Sequence, residues 1–338
     1  MKNIQGKPNK GDGKDLPVVH ADELRRVYRR QGYHFAGGHS AVKTCHWLRR
    51  SLNTRGAEHC YKERFYGIPC HRCLQMTPSM GRCLQSCVFC WRATPSDIGV
   101  DWNQTQLPIE DAEEPSSIVE GCLQAHRQAL SGFGGNPNVS RSMLEEASQP
   151  IHAAISLEGE PTMYPHLSGL VEAFSDQGFK STFIVTNGLL PEVLANLNNE
   201  PTQLYVSVCA PDEETYRRTC RPLVSDGWSR LMETLELLRS FSCPTVLRHT
   251  LVPGLNMVDA AGYARLAEKA DATYLEPKAA MSVGFARRRF GYEEMAWHED
   301  VRAFAEDLAA ESGYGIVDEH PPSCIVLLSR LEKPKRLY

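Results

Sequence analysis

Three cysteines close together in the chain carry the clearest chemical signal. Cys83, Cys87 and Cys90, here called the loop trio, are separated by three and two residues, so one short loop can present three thiolates to one cofactor. Three thiolates suit three corners of a cubane iron–sulfur cluster. One iron then lacks a protein ligand, and an open coordination position is typical of a reactive metal centre. A zinc or purely structural site is the weaker alternative, because zinc sites usually pair cysteines as C-x2-C.

The rest of the composition favours metal chemistry inside a cell. The chain has twelve cysteines, seven of them between Cys45 and Cys90. Residues 1–18 lack the apolar core of a secretory signal, so disulfides explain these cysteines poorly. A net charge of −4 does not by itself indicate a nucleic-acid partner. No apolar run is long enough for a membrane span. We expect a cytoplasmic protein whose residues 1–18 form a flexible tail.

The remainder of the chain alternates short apolar runs with helical patterns, which predicts an α/β fold around a parallel sheet. One strand is expected near the loop trio, and five more are predicted at 153–157, 181–186, 204–209, 245–251 and 273–276. Six strands favour a partial (βα)6 barrel of the TIM type, because a closed eight-strand barrel would need more chain. The predicted divisions are an N-terminal cysteine-rich extension at 19–78, the barrel at 79–330 and a C-terminal tail at 331–338.

Two helix ends are marked by single residues. Asp259 has the side chain of a helix N-cap and precedes the helical pattern of Tyr263 and Leu266. The late helix that carries Val301 is expected to stop at Gly313, since glycine commonly ends helices.

Two turns, at Gly159-Glu160-Pro161 and Thr186-Asn187-Gly188, follow predicted strands downstream of the loop trio, and the next predicted strand contains Ser207. In their order along the chain these features resemble the radical S-adenosylmethionine (SAM) enzymes. The resemblance implies that a 4Fe–4S cluster on the loop trio binds SAM. The SAM-binding residues that it implies are Gly159, Glu160, Pro161, Thr186, Asn187 and Ser207.

A longer string of matches covers residues 36–330. It includes His39-Ser40-Ala41-Val42-Lys43, Cys60-Tyr61-Lys62, His71-Arg72-Cys73, Cys90-Trp91-Arg92 and Trp297-His298-Glu299. In these motifs the chain resembles the tRNA 4-demethylwyosine synthases. The resemblance implies a carbon–carbon lyase that condenses N1-methylguanosine of phenylalanine tRNA (tRNA-Phe) with two carbons of pyruvate, forming the tricyclic base of wyosine biosynthesis.

The same resemblance implies a second, auxiliary 4Fe–4S cluster. Its ligands fall on Cys45, Cys60 and Cys73, here called the second trio, with 14 and 12 residues between them. Lys62 is implied to form a Schiff base with pyruvate, and a lysine crowded near a cluster can be held as the neutral amine that attacks carbonyls. Two alternatives stay open: pyruvate on the cluster or on Lys62, and Cys70 as a spare thiol or a fourth ligand. No flavin-binding pattern is present, so a separate one-electron donor is expected.

A tRNA partner needs local cations on this net acidic chain. Three basic clusters offer them: Arg25, Arg26, Arg29, Arg30, Arg49 and Arg50; Arg217, Arg218 and Arg221; and Arg287, Arg288 and Arg289. Trp91 is suited either to base stacking or to core packing. The rival hypotheses are a radical SAM enzyme that acts on another RNA or a small molecule, and a non-catalytic iron–sulfur or zinc protein that binds RNA.

Two positions depart from the family pattern. Cys209 stands where an aspartate is expected, which removes an anionic hydrogen-bond acceptor. Glu158 stands where a small hydroxyl residue is expected. A buried carboxylate without a partner is costly, so we expect Glu158 to face solvent or an arginine.

Overall fold

The computed structural model describes residues 19–93, 97 and 111–338; the predicted tail at 1–18 lies outside the described residues. Within them, ten strands form one sheet in the order β1-β2-β3-β4-β5-β6-β7-β8-β10-β9. The strands are β1 His34–Ala36, β2 Ser40–Val42, β3 Cys73–Thr77, β4 His152–Ile155, β5 Ser181–Thr186, β6 Gln203–Ser207, β7 Thr245–Leu251, β8 Tyr274–Ala279, β9 Gly315–His320 and β10 Ile325–Ser329.

Strands β3 to β8 run parallel to one another, and this six-strand unit confirms the predicted partial barrel. Four antiparallel strands that were not predicted extend its edges, β1 and β2 on one side and β10 and β9 on the other. Strands β1 and β2 have three residues each, too few for a period-two pattern to show. Because β3 pairs with β4, the predicted extension over 19–78 includes the first barrel strand.

The helices of the described residues connect these strands. They are α1 Val19–Arg30, α2 His46–Asn53, α3 Tyr61–Tyr66, α4 Pro115–Leu130, α5 Arg141–Ala147, α6 Leu167–Asp176, α7 Pro191–Ala195, α8 Glu213–Cys220, α9 Gly227–Leu237, α10 Ala260–Ala270 and α11 His298–Ser312. The Asp259 carboxylate accepts from the backbone N of Gly262 at 3.1 Å, and α11 ends at Gly313 with φ 68°. Both helix ends are as predicted. Among the described helices, none combines the length and the apolar character needed to cross a membrane.

The two faces of the sheet bury different cores. On the outer face, strand residues such as Ile184, Val206 and Leu247 pack in one large core with residues of the surrounding helices. On the inner face, alternate residues of the same strands pack against the aromatic side chains of α3. The aromatic members of this inner core include Phe183, Tyr205, Tyr274, Phe65 and Tyr66. Helix α3 therefore fills part of the barrel interior.

The C-terminal residues pack against the same region. The backbone N of Leu337 donates to the carbonyl of Tyr66 at 2.9 Å, and the backbone N of Lys335 donates to the hydroxyl of Tyr274 at 2.8 Å. Since Tyr274 begins β8, residues 331–338 lie at the amino ends of the parallel strands. The opposite end of the barrel carries the cysteine loop.

Candidate active site

The loop trio lies on the segment that follows β3, beside the carboxyl ends of β4 and β5. The backbone of this segment pairs with residues at the end of α8: Val88 N donates to the carbonyl of Thr219 at 2.9 Å, and Leu223 N donates to that of Leu84 at 2.8 Å. Cys83 and Cys87 are each only 8% exposed. The pairing holds the loop as an added strand, so its thiols have fixed positions.

An arginine and an asparagine donate hydrogen bonds to thiols of the loop trio. Arg92 Nε donates to Cys90 Sγ at 2.8 Å, and Asn187 Nδ2 donates to Cys83 Sγ at 3.6 Å. Burial raises the pKa of Cys83 to about 11, and the Arg92 cation partly opposes this shift. Buried thiols beside a fixed cation fit a cofactor that binds thiolates and displaces their protons. The donor set of this loop therefore fits three corners of a 4Fe–4S cluster.

Glu158 faces an arginine, one of the two outcomes expected for it. Its carboxylate lies 3.6 Å from Arg92 Nη1, accepts from the Tyr28 hydroxyl at 2.7 Å and accepts from Gly81 N at 2.8 Å. Burial raises the pKa of Glu158, and Arg92 opposes the rise. The carboxylate thus orients the arginine that contacts Cys90.

The Gly159-Glu160 turn joins the cysteine loop to the ends of two strands. Gly159 has φ +73°, and a Cβ there would overlap the carbonyl oxygen of Ser79, so only glycine fits between the turn and the loop. The Glu160 carboxylate accepts from Thr186 Oγ1 at 2.6 Å and from Asn187 N at 2.7 Å. Since Asn187 also contacts Cys83, these four predicted residues meet beside the loop trio.

The two other predicted SAM residues lie close by in the fold. Pro161 is buried and begins the short 3-10 turn that follows Glu160. Ser207 ends β6, one strand further along the sheet than Thr186, and its Cα is in register with that of Arg248 on β7.

The second trio comes from three separate elements. Cys45 is the N-cap of α2 and its Sγ accepts from Leu48 N at 3.2 Å, Cys60 is the N-cap of α3, and Cys73 begins β3. The thiols are close enough to act on one another, since burial and then Cys45 raise the pKa of Cys60 to about 12. Helix N-termini favour thiolates, so two of the three positions suit a metal cluster.

Cys70 is oriented differently from the second trio. It is 3% exposed, and its Sγ donates to the carbonyl of Trp47 at 3.7 Å. Within the described part of the chain, no three His, Cys, Asp or Glu side chains converge closely enough for a single metal ion. A cubane takes its thiolates at separate corners, so it does not need such close convergence.

Lys62 lies in the first turn of α3, pointing at the inner face of the sheet. Its Nζ is 3.7 Å from the ring centroid of Phe183 and 4.5 Å from that of Tyr205. Burial lowers the pKa of Lys62 to about 8, although Cys73 and Glu276 oppose the shift. A neutral amine is therefore accessible near physiological pH, next to the second trio.

Charged residues on the inner face of β7 and β8 surround this lysine. Arg248 forms an ion pair with Glu276, Glu276 also accepts from the Tyr66 hydroxyl at 2.8 Å, and burial lowers the pKa of Lys278 to about 8. The sequence analysis gave these three no role. A signal was present, because Arg, Glu and Lys inside strand patterns are rarely buried without a function or partner.

Arginines from two distant parts of the sequence share one cavity of about 490 Å³ that also contacts the cysteine loop. Arg217, Arg218, Arg221 and Arg289 line it with Val88. The arginines of α1 are engaged elsewhere, as Arg25 donates to the carbonyl of Gly38 at 2.9 Å. The structure thus brings together two of the three predicted basic clusters.

Two residues singled out in the sequence remain, Trp91 and Cys209, and both contact other residues. Trp91 stacks on Tyr33 with ring centroids 6.3 Å apart, and Lys43 Nζ lies 5.1 Å from the Trp91 ring. Cys209, in place of the expected aspartate, is buried, and its Sγ donates to the carbonyl of Arg248 at 3.8 Å. A thiol donor has replaced the expected anionic acceptor.

Comparisons with known proteins agree with this geometry. The radical SAM superfamily model matches residues 77–267, and a model described as wyosine base formation matches residues 269–330. A SAM-dependent tRNA 4-demethylwyosine synthase of Pyrococcus abyssi is 48% identical over 91% of this chain and 89% of that relative. The chain belongs to the tRNA 4-demethylwyosine synthase family. A Methanocaldococcus jannaschii member is 39% identical over 91% of this chain and 96% of its own length.

Solved structures of family members share the fold. A structure described as TYW1 with a lysine–pyruvate adduct bound is 36% identical, with a TM-score of 0.82 over 95% of this chain and 99% of that one. The crystal structure of archaeal TYW1 is 31% identical, with a TM-score of 0.75 over 96% of this chain and 99% of that one. This 4-demethylwyosine synthase family member is therefore a radical SAM enzyme, which uses SAM and a 4Fe–4S cluster.

Proposed function

We propose that this chain converts N1-methylguanosine of tRNA-Phe into 4-demethylwyosine, taking two carbons from pyruvate. The observation that carries the proposal is the position of Lys62. Its amine lies on the inner face of the barrel between the second trio and the charged residues of β7 and β8. A structure with 36% identity and a TM-score of 0.82 is described as holding a lysine–pyruvate adduct, and Lys62, in the first turn of α3 two residues after Cys60, suits such an adduct.

In this proposal the loop trio holds the SAM-binding cluster. When bound, the cluster and SAM supply a carbon-centred radical by reductive cleavage of SAM. Arg92 holds its positive charge against Cys90, and Glu158 holds Arg92 in place. Gly159, Glu160, Pro161, Thr186, Asn187 and Ser207 line the SAM site at the carboxyl ends of β4, β5 and β6.

The second trio holds the auxiliary 4Fe–4S cluster, with ligands from residues 19–78, while residues 79–330 supply the rest of the barrel. Cys45 and Cys60 are helix N-caps and Cys73 begins β3, and burial, Cys45 and Cys60 all raise the pKa of Cys73, which supports one shared site. Cys70 is not a ligand in this proposal, because its thiol donates to a backbone carbonyl instead.

Lys62 attacks the ketone carbon of pyruvate through Nζ, so a carbon–nitrogen double bond forms and the ketone oxygen leaves as water. The rings of Phe183 and Tyr205 lie against the amine and contribute to the burial that favours its neutral, reactive form. Only two of the three pyruvate carbons enter the product, so the bond to the carboxylate carbon must break, which makes the enzyme a carbon–carbon lyase.

The tRNA approaches from the side of the cysteine loop. The target base must leave the anticodon stack to enter the barrel, and the arginine cavity beside Val88 supplies cations for the flanking phosphates. The electron comes from a separate donor. Because the substrate is a tRNA, we place the enzyme in the cytoplasm.

One reaction tests the proposal. Anaerobically reconstituted protein is incubated with SAM, pyruvate, a strong reductant and tRNA-Phe that carries N1-methylguanosine, and the digested tRNA is analysed by mass spectrometry. We expect the tricyclic nucleoside, with dependence on pyruvate and loss in Lys62→Met. Formation of 5′-deoxyadenosine without the tricyclic nucleoside would contradict the proposal and indicate a radical SAM enzyme for another RNA or a small molecule.

A further inference from the structure

The interior site, defined by Lys62, Tyr205, Arg248 and Glu276, holds an arginine whose hydrogen bonds are incomplete. Arg248 lies in the middle of β7 and is partly accessible, whereas its strand neighbours Leu247 and His249 are buried. Because side chains alternate between the two faces of a strand, the accessible side of Arg248 faces the barrel interior. The guanidinium is thus presented to whatever occupies that interior.

The two hydrogens of Arg248 Nη2 are already used. Nη2 donates to the Tyr61 hydroxyl at 2.9 Å and also to Glu276. Nε is buried and, among the residues that the structure describes, has no hydrogen-bond partner. A buried donor without a partner destabilises the fold by about 1–3 kcal/mol. An acceptor within hydrogen-bond distance of Arg248 Nε would therefore remove that destabilisation.

The Arg248 guanidinium lies near Lys62, on the same aromatic ring. Arg248 Cζ lies 5.1 Å from the ring centroid of Tyr205, and Lys62 Nζ lies 4.5 Å from it. Both cations therefore border one aromatic ring. Glu276 is the carboxylate that faces Lys62, Lys278 and Arg248 together. Of the four residues that define the interior site, Lys62 and Arg248 are basic and only Glu276 is acidic, so the site suits a small anion.

We propose that Arg248 binds the carboxylate of the 2-oxo acid whose ketone reacts with Lys62, and so makes the site selective for anionic 2-oxo acids. The inference rests on the proposed function of Lys62. The unpaired Nε of this planar guanidinium can donate to a carboxylate oxygen, and such charge-assisted hydrogen bonds are among the stronger ones. Arg248 also holds the carboxylate end of the substrate away from the amine, which leaves the ketone carbon facing Nζ.

The test is borohydride trapping of the imine on anaerobically reconstituted protein, with pyruvate or its neutral methyl ester as probe. The trapped lysine is located by peptide mass spectrometry, and half-saturating concentrations are compared. The native chain should favour pyruvate over methyl pyruvate by at least about tenfold. In Arg248→Gln combined with Glu276→Gln, which leaves no unpaired carboxylate, the preference should disappear while methyl pyruvate is still trapped.

Two single variants serve as controls for the role of Arg248. Arg230→Gln removes a half-exposed arginine, paired with Asp226 at 2.9 Å, and should keep the preference. Lys278→Gln tests whether Lys278, rather than Arg248, binds the carboxylate. This variant should also keep the preference for pyruvate over methyl pyruvate. Loss of the preference in Lys278→Gln but not in the Arg248 variant would overturn the inference.

The native chain alone can also overturn it. Equal trapping of pyruvate and methyl pyruvate on Lys62 would remove the role of Arg248 and leave the proposed function standing. If no probe were trapped on Lys62, both the inference and the proposed role of the lysine would fail.

Discussion

The two cysteine trios present three thiols each, but they are built and surrounded differently. The loop trio lies on one segment that is held by backbone hydrogen bonds to the end of α8. The second trio is assembled from two helix N-caps and a strand start. The loop trio therefore takes its three thiols from one short segment, whereas the second trio exists only when α2, α3 and β3 are packed together.

The cations beside the two trios also differ, because one has a fixed charge and the other titrates. Arg92, bound to Cys90 and Glu158, carries a charge that does not titrate in the accessible pH range. Lys62 beside the second trio has a pKa lowered to about 8 by burial. A fixed cation suits a site that transfers electrons, and a titratable amine suits a site that reacts with a carbonyl.

Replacement of a loop cysteine should have the largest effect. In Cys87→Ala we expect 5′-deoxyadenosine formation to fall to the level without enzyme, because the cluster that cleaves SAM has lost a ligand. Chromatography of the reaction with SAM and reductant, without tRNA, measures this. Cleavage of SAM at the native rate would exclude the loop trio from the SAM site.

Replacement of a cysteine in the second trio should separate SAM cleavage from formation of the tricyclic nucleoside. Cys60→Ala should still cleave SAM but yield no tricyclic nucleoside, because its effect is confined to the auxiliary cluster and Lys62. Both products are quantified in one reaction. Loss of SAM cleavage in this variant, with the native fold retained, would show that the two trios act as one unit.

The buried ion pair behind the loop trio should matter for stability. Glu158→Ala leaves Arg92 buried without its carboxylate, which we expect to cost about 3 kcal/mol. Glu145→Ala is the matched control, because its ion pair with Arg141 has the same 3.6 Å separation but is exposed, and it should change little. Chemical denaturation of both metal-free variants measures the difference; equal effects would contradict the proposed role of burial.

The smallest effect is expected from a glycine substitution. Gly159→Ala meets both a positive φ of +73° and the Ser79 carbonyl, whereas Gly178→Ala meets only a positive φ of +84° in open space. Left-handed backbone costs an alanine about 1–2 kcal/mol, so Gly178→Ala should lose that much and Gly159→Ala more. Thermal unfolding compares them, and only Gly159→Ala should also slow SAM cleavage.

Local signals in the sequence predicted most of what surrounds the loop trio. The spacing of its cysteines and the order of the turns at Glu160 and Asn187 predicted that site, and β5 and β7 have the predicted bounds. These features depend on residues near one another in the chain.

Of the interior site only Lys62 was predicted, through the family resemblance, because the other members depend on tertiary packing. The pairing of Arg248 with Glu276 joins two strands, and the partner of Glu158 comes from the cysteine loop. Neither pair has a fixed sequence spacing. Among the antiparallel edge strands, β9 is half-exposed along most of its length and lacks an apolar run, whereas β10 is a buried apolar run that the sequence does contain and that was missed.

Counting iron in two forms of the chain tests the central claim, that each trio holds its own cluster. Iron and sulfide are measured after anaerobic reconstitution of the native chain and of a variant with Cys45, Cys60 and Cys73 all replaced by alanine. We predict about eight irons in the native chain and about four in the variant, with the electron paramagnetic resonance signal of the variant still altered by SAM. About four irons in both forms would contradict the claim, because the second trio would then hold no cluster.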